Sequence, residues 1–231
     1  LPEKNKTTSG IVNWTSSKGV GNVTAKDIDG DNLTYKVIDS GIPFTFKNGT
    51  SSLVITDGSK LDYESKTSWT FKVVVSDGQA GSATANVTVN LTDVNEKPEP
   101  ENVKSQYSVA ENTTKGTVVG SFDVFDNDKN SGSYETLTYS LSGSLTGAVN
   151  TTAKKLSEIF EVKEKSNVGG ARTVQILVKD QSLLDYEALY NSSTKNATYP
   201  ATITITDAAS NSVTLTTKIA VTDVNEKHSA T

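Results

Sequence analysis

The residues of this sequence best suited to chemistry are carboxylates that stand in pairs two residues apart. Asp126 and Asp128 form one pair, and Asp62 and Glu64 form another. In an extended chain, residues i and i+2 project to the same side, so each pair is expected to offer its oxygens toward one point. Ca²⁺ takes about six to eight oxygen ligands, whereas Zn²⁺ prefers nitrogen or sulfur. The pairs therefore predict binding of a hard cation.

These acidic motifs recur in the same order in both halves of the chain. The heptad at 91–97, Leu-Thr-Asp-Val-Asn-Glu-Lys, returns with one change at 221–227, and Leu-Asp-Tyr-Glu stands at 61–64 and at 184–187. A single Asp-x-Asp is usually a solvated turn, but an ordered set repeated at long range indicates duplicated domains. Further matches pair 1–4 with 109–112, 26–37 with 125–141 and 75–78 with 205–208.

An EF-hand is the calcium motif to test first, and the sequence does not fit it. That loop requires Gly at its sixth position and Glu at its twelfth. Counted from Asp27 these positions hold Asn32 and Ile38, and the loop counted from Asp126 fails in the same way. The predicted sites must therefore be built by a different fold.

Short apolar runs with a two-residue period predict strands throughout both halves. About seven such strands per ~100–130 residues indicate an all-β chain with an antiparallel sandwich in each half. Pro98 and Pro100 favour an extended connection, so we predict domains at 1–97 and 98–231. A single helical turn is expected within 151–160. The predicted strands are 21–25, 33–38, 53–56, 69–76, 83–91, 116–124, 136–142, 159–163, 173–179, 201–206 and 212–221.

Composition excludes several classes of protein. The net charge of −5 argues against nucleic acid, which needs a basic face. No apolar run approaches the ~20 residues of a membrane-spanning helix. The chain lacks Cys, so disulfides cannot stabilise it, and it lacks Met, which predicts a fragment cut from a longer polypeptide.

The acidic motifs together resemble tandem cadherin repeats, and their Asp-Val-Asn-Glu-Lys-Pro ending is similar to that of repeats in large bacterial surface proteins. The resemblance covers the whole chain. It implies two Greek-key, Ig-like β-sandwiches in an elongated arrangement, with Ca²⁺ bound between repeats. It also implies an extracellular or cell-surface adhesion or extender module. Its partners would be calcium, neighbouring repeats of the same polypeptide, and a homophilic protein or polysaccharide contact.

The same resemblance implies the ligands of one linker site and of two incomplete terminal sites that would need further repeats. Departures from the family pattern are Glu96, where a second Asp is usual, and Lys97, where an Asn ligand would stand. The linker set is Glu3, Asp62, Glu64, Asp93, the Val94 carbonyl, Asn95, Glu96, Asp126, Asp128, a carbonyl near Tyr134, and Asp207. The terminal sets are Asp27, Asp29 and Asp77 at one end, and Glu111, Asp185, Glu187, Asp223, Asn225 and Glu226 at the other.

The alternatives to an adhesin are an enzyme and a carbohydrate-binding module. An enzyme is not expected, because the sole His, His228, lies in a polar tail beyond the last strand. A calcium-stabilised carbohydrate-binding module of a secreted polysaccharide-acting protein is a more serious alternative, because such modules are also β-sandwiches. It would need exposed aromatic platforms, for which the candidates are Trp14, Tyr134, Tyr190 and Tyr199.

Overall fold

A computed structural model of the chain describes residues 19–27, 30–79, 82–130, 132–145 and 155–226. These residues form two compact units, the first ending at Asn95 and the second beginning at Glu96. Both units are built from paired strands around their own apolar core, so the predicted all-β fold class is confirmed.

The first unit contains two antiparallel sheets of three strands each, with the orders β1-β4-β3 and β2-β5-β6. Phe71 and Val73 on β5 point inward with 1% and 0% exposure, as the two-residue period of that strand predicts. Trp69 is half-buried, with the Lys66 ammonium 3.7 Å from its ring centroid. The strands are β1 Gly19–Asn22, β2 Thr34–Val37, β3 Phe44–Phe46, β4 Ser52–Ile55, β5 Ser68–Ser76 and β6 Ser82–Asn90, with a 3-10 turn at Gly58–Lys60.

The second unit has two sheets of four strands and a small two-stranded ladder. The sheets run β13-β14-β9-β7 and β12-β15-β16-β8, and the ladder joins β10 to β11. All pairings are antiparallel except β8 with β16. The strands are β7 Glu99–Glu101, β8 Tyr107–Ala110, β9 Val118–Phe125, β10 Lys129–Asn130, β11 Ser133–Tyr134, β12 Thr138–Ser142, β13 Phe160–Val168, β14 Ala171–Val178, β15 Ala197–Thr206 and β16 Ser212–Thr222. The helical turns are α1 Leu156–Ile159, a 3-10 turn at Gln181–Leu183, and α2 Tyr186–Leu189.

The predicted elements differ from the observed ones mainly at their ends. The strand predicted at 21–25 is β1, which begins earlier and ends at Asn22. The strand predicted at 159–163 is the start of β13, which continues to Val168. The predicted helical turn forms as α1, although 151–154 lie outside the described residues. The sequence pattern does not predict β3, β7, β8, β10, β11 or α2.

Candidate metal centre

Three carboxylates of the second unit come together where β9 ends and just after β11 ends. Asp126 follows β9 directly, and its Oδ1 accepts a 3.2 Å hydrogen bond from the Asp128 amide. The β10–β11 ladder then returns the chain, so that the Glu135 amide donates to the Asp128 carbonyl at 3.1 Å. As a result, one oxygen from each of Asp126, Asp128 and Glu135 lies within 4.8 Å of the others. We call these three residues the inner acidic cluster.

The inner acidic cluster is buried, which makes its negative charge costly. Asp126 and Asp128 are 4% exposed and Glu135 is 9% exposed. The Asp126 Oδ2 atom is buried and has no hydrogen-bond partner among the described residues. Burial raises the pKa of Asp126 to about 7, repulsion from Glu135 and Asp128 adds to the rise, and Arg172 opposes it.

Two other predicted ligands lie beside this cluster. Asp207 follows β15 and is 5% exposed, and its buried Oδ2 also has no hydrogen-bond partner in the described part of the chain. The next amide, that of Ala208, donates to Glu135 Oε2 at 3.2 Å. The amide of Glu96 donates to Asp128 Oδ2 at 2.8 Å. The candidate metal-ligand atoms of these side chains are all oxygens. The two carboxylate oxygens without a hydrogen-bond partner among the described residues fit a hard cation such as Ca²⁺.

Glu135 was missed by the sequence analysis, although a signal for it exists. An acid stands two residues before Leu-Thr-Tyr in both repeats, at Asp31 and at Glu135. This third acid lies outside the Asp-x-Asp spacing, so that spacing alone does not identify it. The long turn between Asp128 and Glu135 hides their proximity, which the β10–β11 ladder creates.

A second acidic cluster consists of Glu111, Glu187 and Asp223, which have one oxygen each within 4.8 Å of the others. Glu111 is 3% exposed, and its two oxygens accept 2.7 Å hydrogen bonds from the amides of Tyr186 and Val224. The structure therefore brings together three of the residues assigned to one incomplete terminal site.

The remaining residues of that terminal set have other contacts. Glu226 accepts a 2.7 Å hydrogen bond from the Asn112 side-chain amide. Asp185 accepts from the Ala188 amide at 2.9 Å. Asn225 is exposed.

The extended geometry expected for the Leu-Asp-Tyr-Glu motif is wrong. In the second unit Asp185 is the N-cap of α2, and Glu187 lies inside that helix. In the first unit Asp62 caps a turn, accepting from the Ser65 amide at 3.1 Å. Asp is a strong N-cap residue because its carboxylate satisfies amides that a helix start leaves without partners, and this local preference overrides the extended conformation.

The first unit also places its acidic residues in turns. Asp27 accepts a hydrogen bond from the Asp31 amide at 3.2 Å, and Asp77 accepts one from the Gln79 amide at 2.7 Å. Asp93 is exposed. Glu64, Val94 and Asn95 are half-buried, as is Tyr134 in the second unit, while Glu3 and Asp29 lie outside the described residues.

Sequence comparison finds matches to a bacterial Ig domain family and to cadherins. Residues 5–90 match a family described as a bacterial Ig domain. Protocadherin-11 X-linked of Pongo pygmaeus is 33% identical over 181 residues, covering 74% of this chain. Cadherin-89D of Drosophila melanogaster is 38% identical over 88 residues, covering 35% of this chain. The matches span 13% and 4% of those two relatives.

Solved structures show the same fold. The first two extracellular repeats of human protocadherin-24 match with a TM-score of 0.58 and 20% identity, covering 91% of both chains. Extracellular cadherin domains 3–6 of protocadherin gamma B2 match with a TM-score of 0.60 and 20% identity, covering 92% of this chain and 44% of theirs.

The chain is a tandem of cadherin-like repeats. Such repeats are structural domains, and the chain is not an enzyme, as the sequence predicted. The relatives do not favour the carbohydrate-binding alternative.

The aromatic residues that could form a sugar platform differ in their burial. Tyr199 is 3% exposed and belongs to the core, so it cannot serve as a sugar platform. Trp14 lies outside the described residues, and Tyr190 is half-buried. Among the described residues, no helix has the length and apolar character needed to cross a membrane.

Proposed function

We propose that these cadherin-like repeats form a calcium-dependent adhesion or extender module of an extracellular or cell-surface protein. Ca²⁺ bound where one repeat meets the next would hold consecutive repeats in a fixed relation. The proposal is supported above all by one observation: buried carboxylates, two of them with orphaned oxygens, lie at the point where the chain enters the second unit.

The second unit would supply the inner acidic cluster and Asp207 to the ion. Two like charges ~4 Å apart near a protein surface repel by about 1 to 4 kcal/mol, so this group of carboxylates is unfavourable without a cation. A divalent cation would neutralise that charge and supply a centre of oxygen coordination. The residues themselves provide the oxygens, exclude water through burial, and fix the backbone by their hydrogen bonds.

The first unit would complete the site with its closing segment. The ligands inferred from the family pattern are Asp62, Glu64, Asp93, Asn95 and the Val94 carbonyl, together with Glu3. Glu96, the next residue, already donates its amide to Asp128 within the second unit. A shared ion would therefore be bound by ligands from both repeats. Binding of the metal would then make the linker between them rigid.

A calcium titration of chelator-treated protein tests this proposal. An ion that binds only the native state adds RT ln(1 + [L]/Kd) to its stability, which is about 2.7 kcal/mol at a hundredfold excess over Kd. We expect saturable heat in isothermal titration calorimetry and a higher melting temperature with calcium than with chelator. Equal melting temperatures in the two conditions would contradict the proposal.

A matched pair of variants tests whether calcium binding depends on the inner acidic cluster. Asp128→Asn removes one charge from the inner acidic cluster and should weaken calcium binding. Asp123→Asn removes the same charge from β9, where Asp123 accepts a 2.7 Å hydrogen bond from the Asn102 amide outside the cluster. Calcium affinity should be unchanged in this control.

A further inference from the structure

Arg172 occupies a position in β14 that the strand pattern reserves for apolar side chains. It is 1% exposed, and the following residues on the same face, Val174, Ile176 and Val178, are all 0% exposed. Burying a charge is costly unless it is paired and hydrogen-bonded, so the contacts of this guanidinium indicate why it is there.

The guanidinium binds the backbone of two residues in the inner acidic cluster. Its Nη1 donates to the Asp126 carbonyl at 3.0 Å and to the Gly170 carbonyl at 3.2 Å. Its Nη2 donates to the Glu135 carbonyl at 2.6 Å. The Nε atom lies 3.4 Å from Glu164 Oε2 on β13. One planar group thus joins two chain segments that are separated by the β10–β11 ladder.

The β13–β14 hairpin also touches this region through its tip. The Asp126 amide donates to the Gly170 carbonyl at 3.1 Å. Gly170 has a φ of +83°, and a Cβ there would lie 2.7 Å from the Asp126 carbonyl and 2.6 Å from Asn127 Oδ1. Only glycine allows the hairpin and the acidic turn to approach this closely.

The first unit has no equivalent of this contact among its described residues. β4 and β14 are counterparts, because each leads through a 3-10 turn into Leu-Asp-Tyr-Glu. The β3–β4 hairpin has strands of 3 and 4 residues, whereas β13 and β14 have 9 and 8 residues. The added length of the second hairpin carries Arg172 and Gly170 to the acidic turn.

We propose that Arg172 is a positioning residue, which holds the backbone of Asp126 and Glu135 so that their carboxylates face one cation. The inference rests on the calcium role proposed above. The positive charge of Arg172 has the opposite effect on calcium affinity, because it repels a Ca²⁺ ion bound nearby. Positioning therefore predicts that removing Arg172 weakens calcium binding, whereas charge alone predicts that removal strengthens it.

Two substitutions in the full chain separate these effects. Arg172→Met removes both the charge and the donors, and Arg172→Lys keeps the charge but lacks the planar fork that reaches two carbonyls at once. Groups that orient metal ligands typically contribute about 10- to 100-fold in affinity. We expect both variants to lose calcium affinity by about that factor in titration calorimetry. Unchanged or tighter binding in Arg172→Lys overturns the proposal.

One control variant distinguishes positioning from a general loss of stability. Ile176→Val destabilises the same face of β14 without touching the turn, so its melting temperature in chelator should fall while its calcium affinity stays at the wild-type value. A loss of affinity in Ile176→Val equal to that in Arg172→Lys would overturn the proposal.

A glycine pair provides a test that does not depend on Arg172 variants folding. Gly170→Ala should push the hairpin off the acidic turn and weaken calcium binding. Gly169→Ala has a similar strained backbone, with φ +63°, but its Cβ would meet only Tyr134 Oη at 3.9 Å. Equal affinities in the two glycine variants overturn the proposal. If the wild-type chain binds no calcium, the proposed function fails as well; if it binds and all variants match it, only this inference fails.

Discussion

Protonation of Asp126 is the residue-scale event most closely tied to the inner acidic cluster. Burial, with help from Glu135 and Asp128, raises its pKa from 3.8 to about 7. A raised folded-state pKa gives stability that is present below the unfolded pKa and is lost as pH rises through the folded pKa. The metal-free protein should therefore lose stability between about pH 4 and pH 7, as measured by melting temperature in chelator.

Calcium should act against this loss. The ion binds the carboxylate form, so its affinity should rise with pH up to about 7 and then level off. Asp126→Asn removes the titrating group and should flatten the metal-free profile relative to wild type. Identical slopes in the two proteins would show that other groups cause the dependence.

The two copies of the acidic heptad, at 91–97 and at 221–227, should differ in their contribution to calcium binding. Asp93 is proposed to share its ion with the second unit, whereas Asp223 lies with Glu111 and Glu187 of its own unit. Asp93→Ala should therefore weaken binding by at least about tenfold, and Asp223→Ala should weaken it less. Titration calorimetry of the two variants measures this. Equal losses would mean that the cluster of Glu111, Glu187 and Asp223 binds calcium without a neighbour.

Part of the site could be predicted from residue types alone. Carboxylates without His or Cys indicate a hard cation, and the order of the motifs groups Asp126 with Asp128. Glu135 could have been found from its recurrence with Asp31 before Leu-Thr-Tyr. The role of Arg172 could not, because it depends on contacts with segments distant in sequence. A lone Arg in an apolar-patterned strand was nevertheless a visible exception.

Among the secondary-structure elements, α2 has an acid, Asp185, that caps the helix and is also a candidate calcium ligand. Substitutions of Asp185 can measure the capping role in the absence of metal. Asp185→Ala should remove the cap bond to Ala188 and lower the stability of the metal-free protein by about 0.5–2 kcal/mol. Asp185→Asn keeps a capping oxygen and should retain most of that stability. Urea unfolding in chelator compares the two. Equal stabilities would show that the cap contributes little.

Strand alternation explains why the longer elements were predicted and the shorter ones were not. The residues of β14 and β15 alternate between buried and partly exposed positions, which is the pattern a half-buried strand requires. The strand β3 has only three residues and β7 contains Pro100, so both depend on pairing with a neighbour. The end of β13 is exposed on both faces and shows no alternation, which is why the long hairpin was missed.

At the scale of the whole molecule, the proposed calcium site would control motion between the repeats. Two units joined by a short linker are expected to move relative to each other unless a large interface or a shared ligand prevents it. Pro98 and Pro100 restrict the linker locally, and Pro98 is buried. Proline alone cannot make rigidity depend on a metal, so calcium dependence is the distinguishing property.

A distance measurement between the two units tests this central claim most directly. The chain has no Cys, so Thr45→Cys on β3 and Ser140→Cys on β12 would place one spin label on an exposed strand position of each unit. Pulsed electron paramagnetic resonance should give a narrow distance distribution with calcium and a broad one with chelator, and Asp93→Ala should keep it broad at the same calcium concentration. Distributions that superimpose with and without calcium would contradict the account.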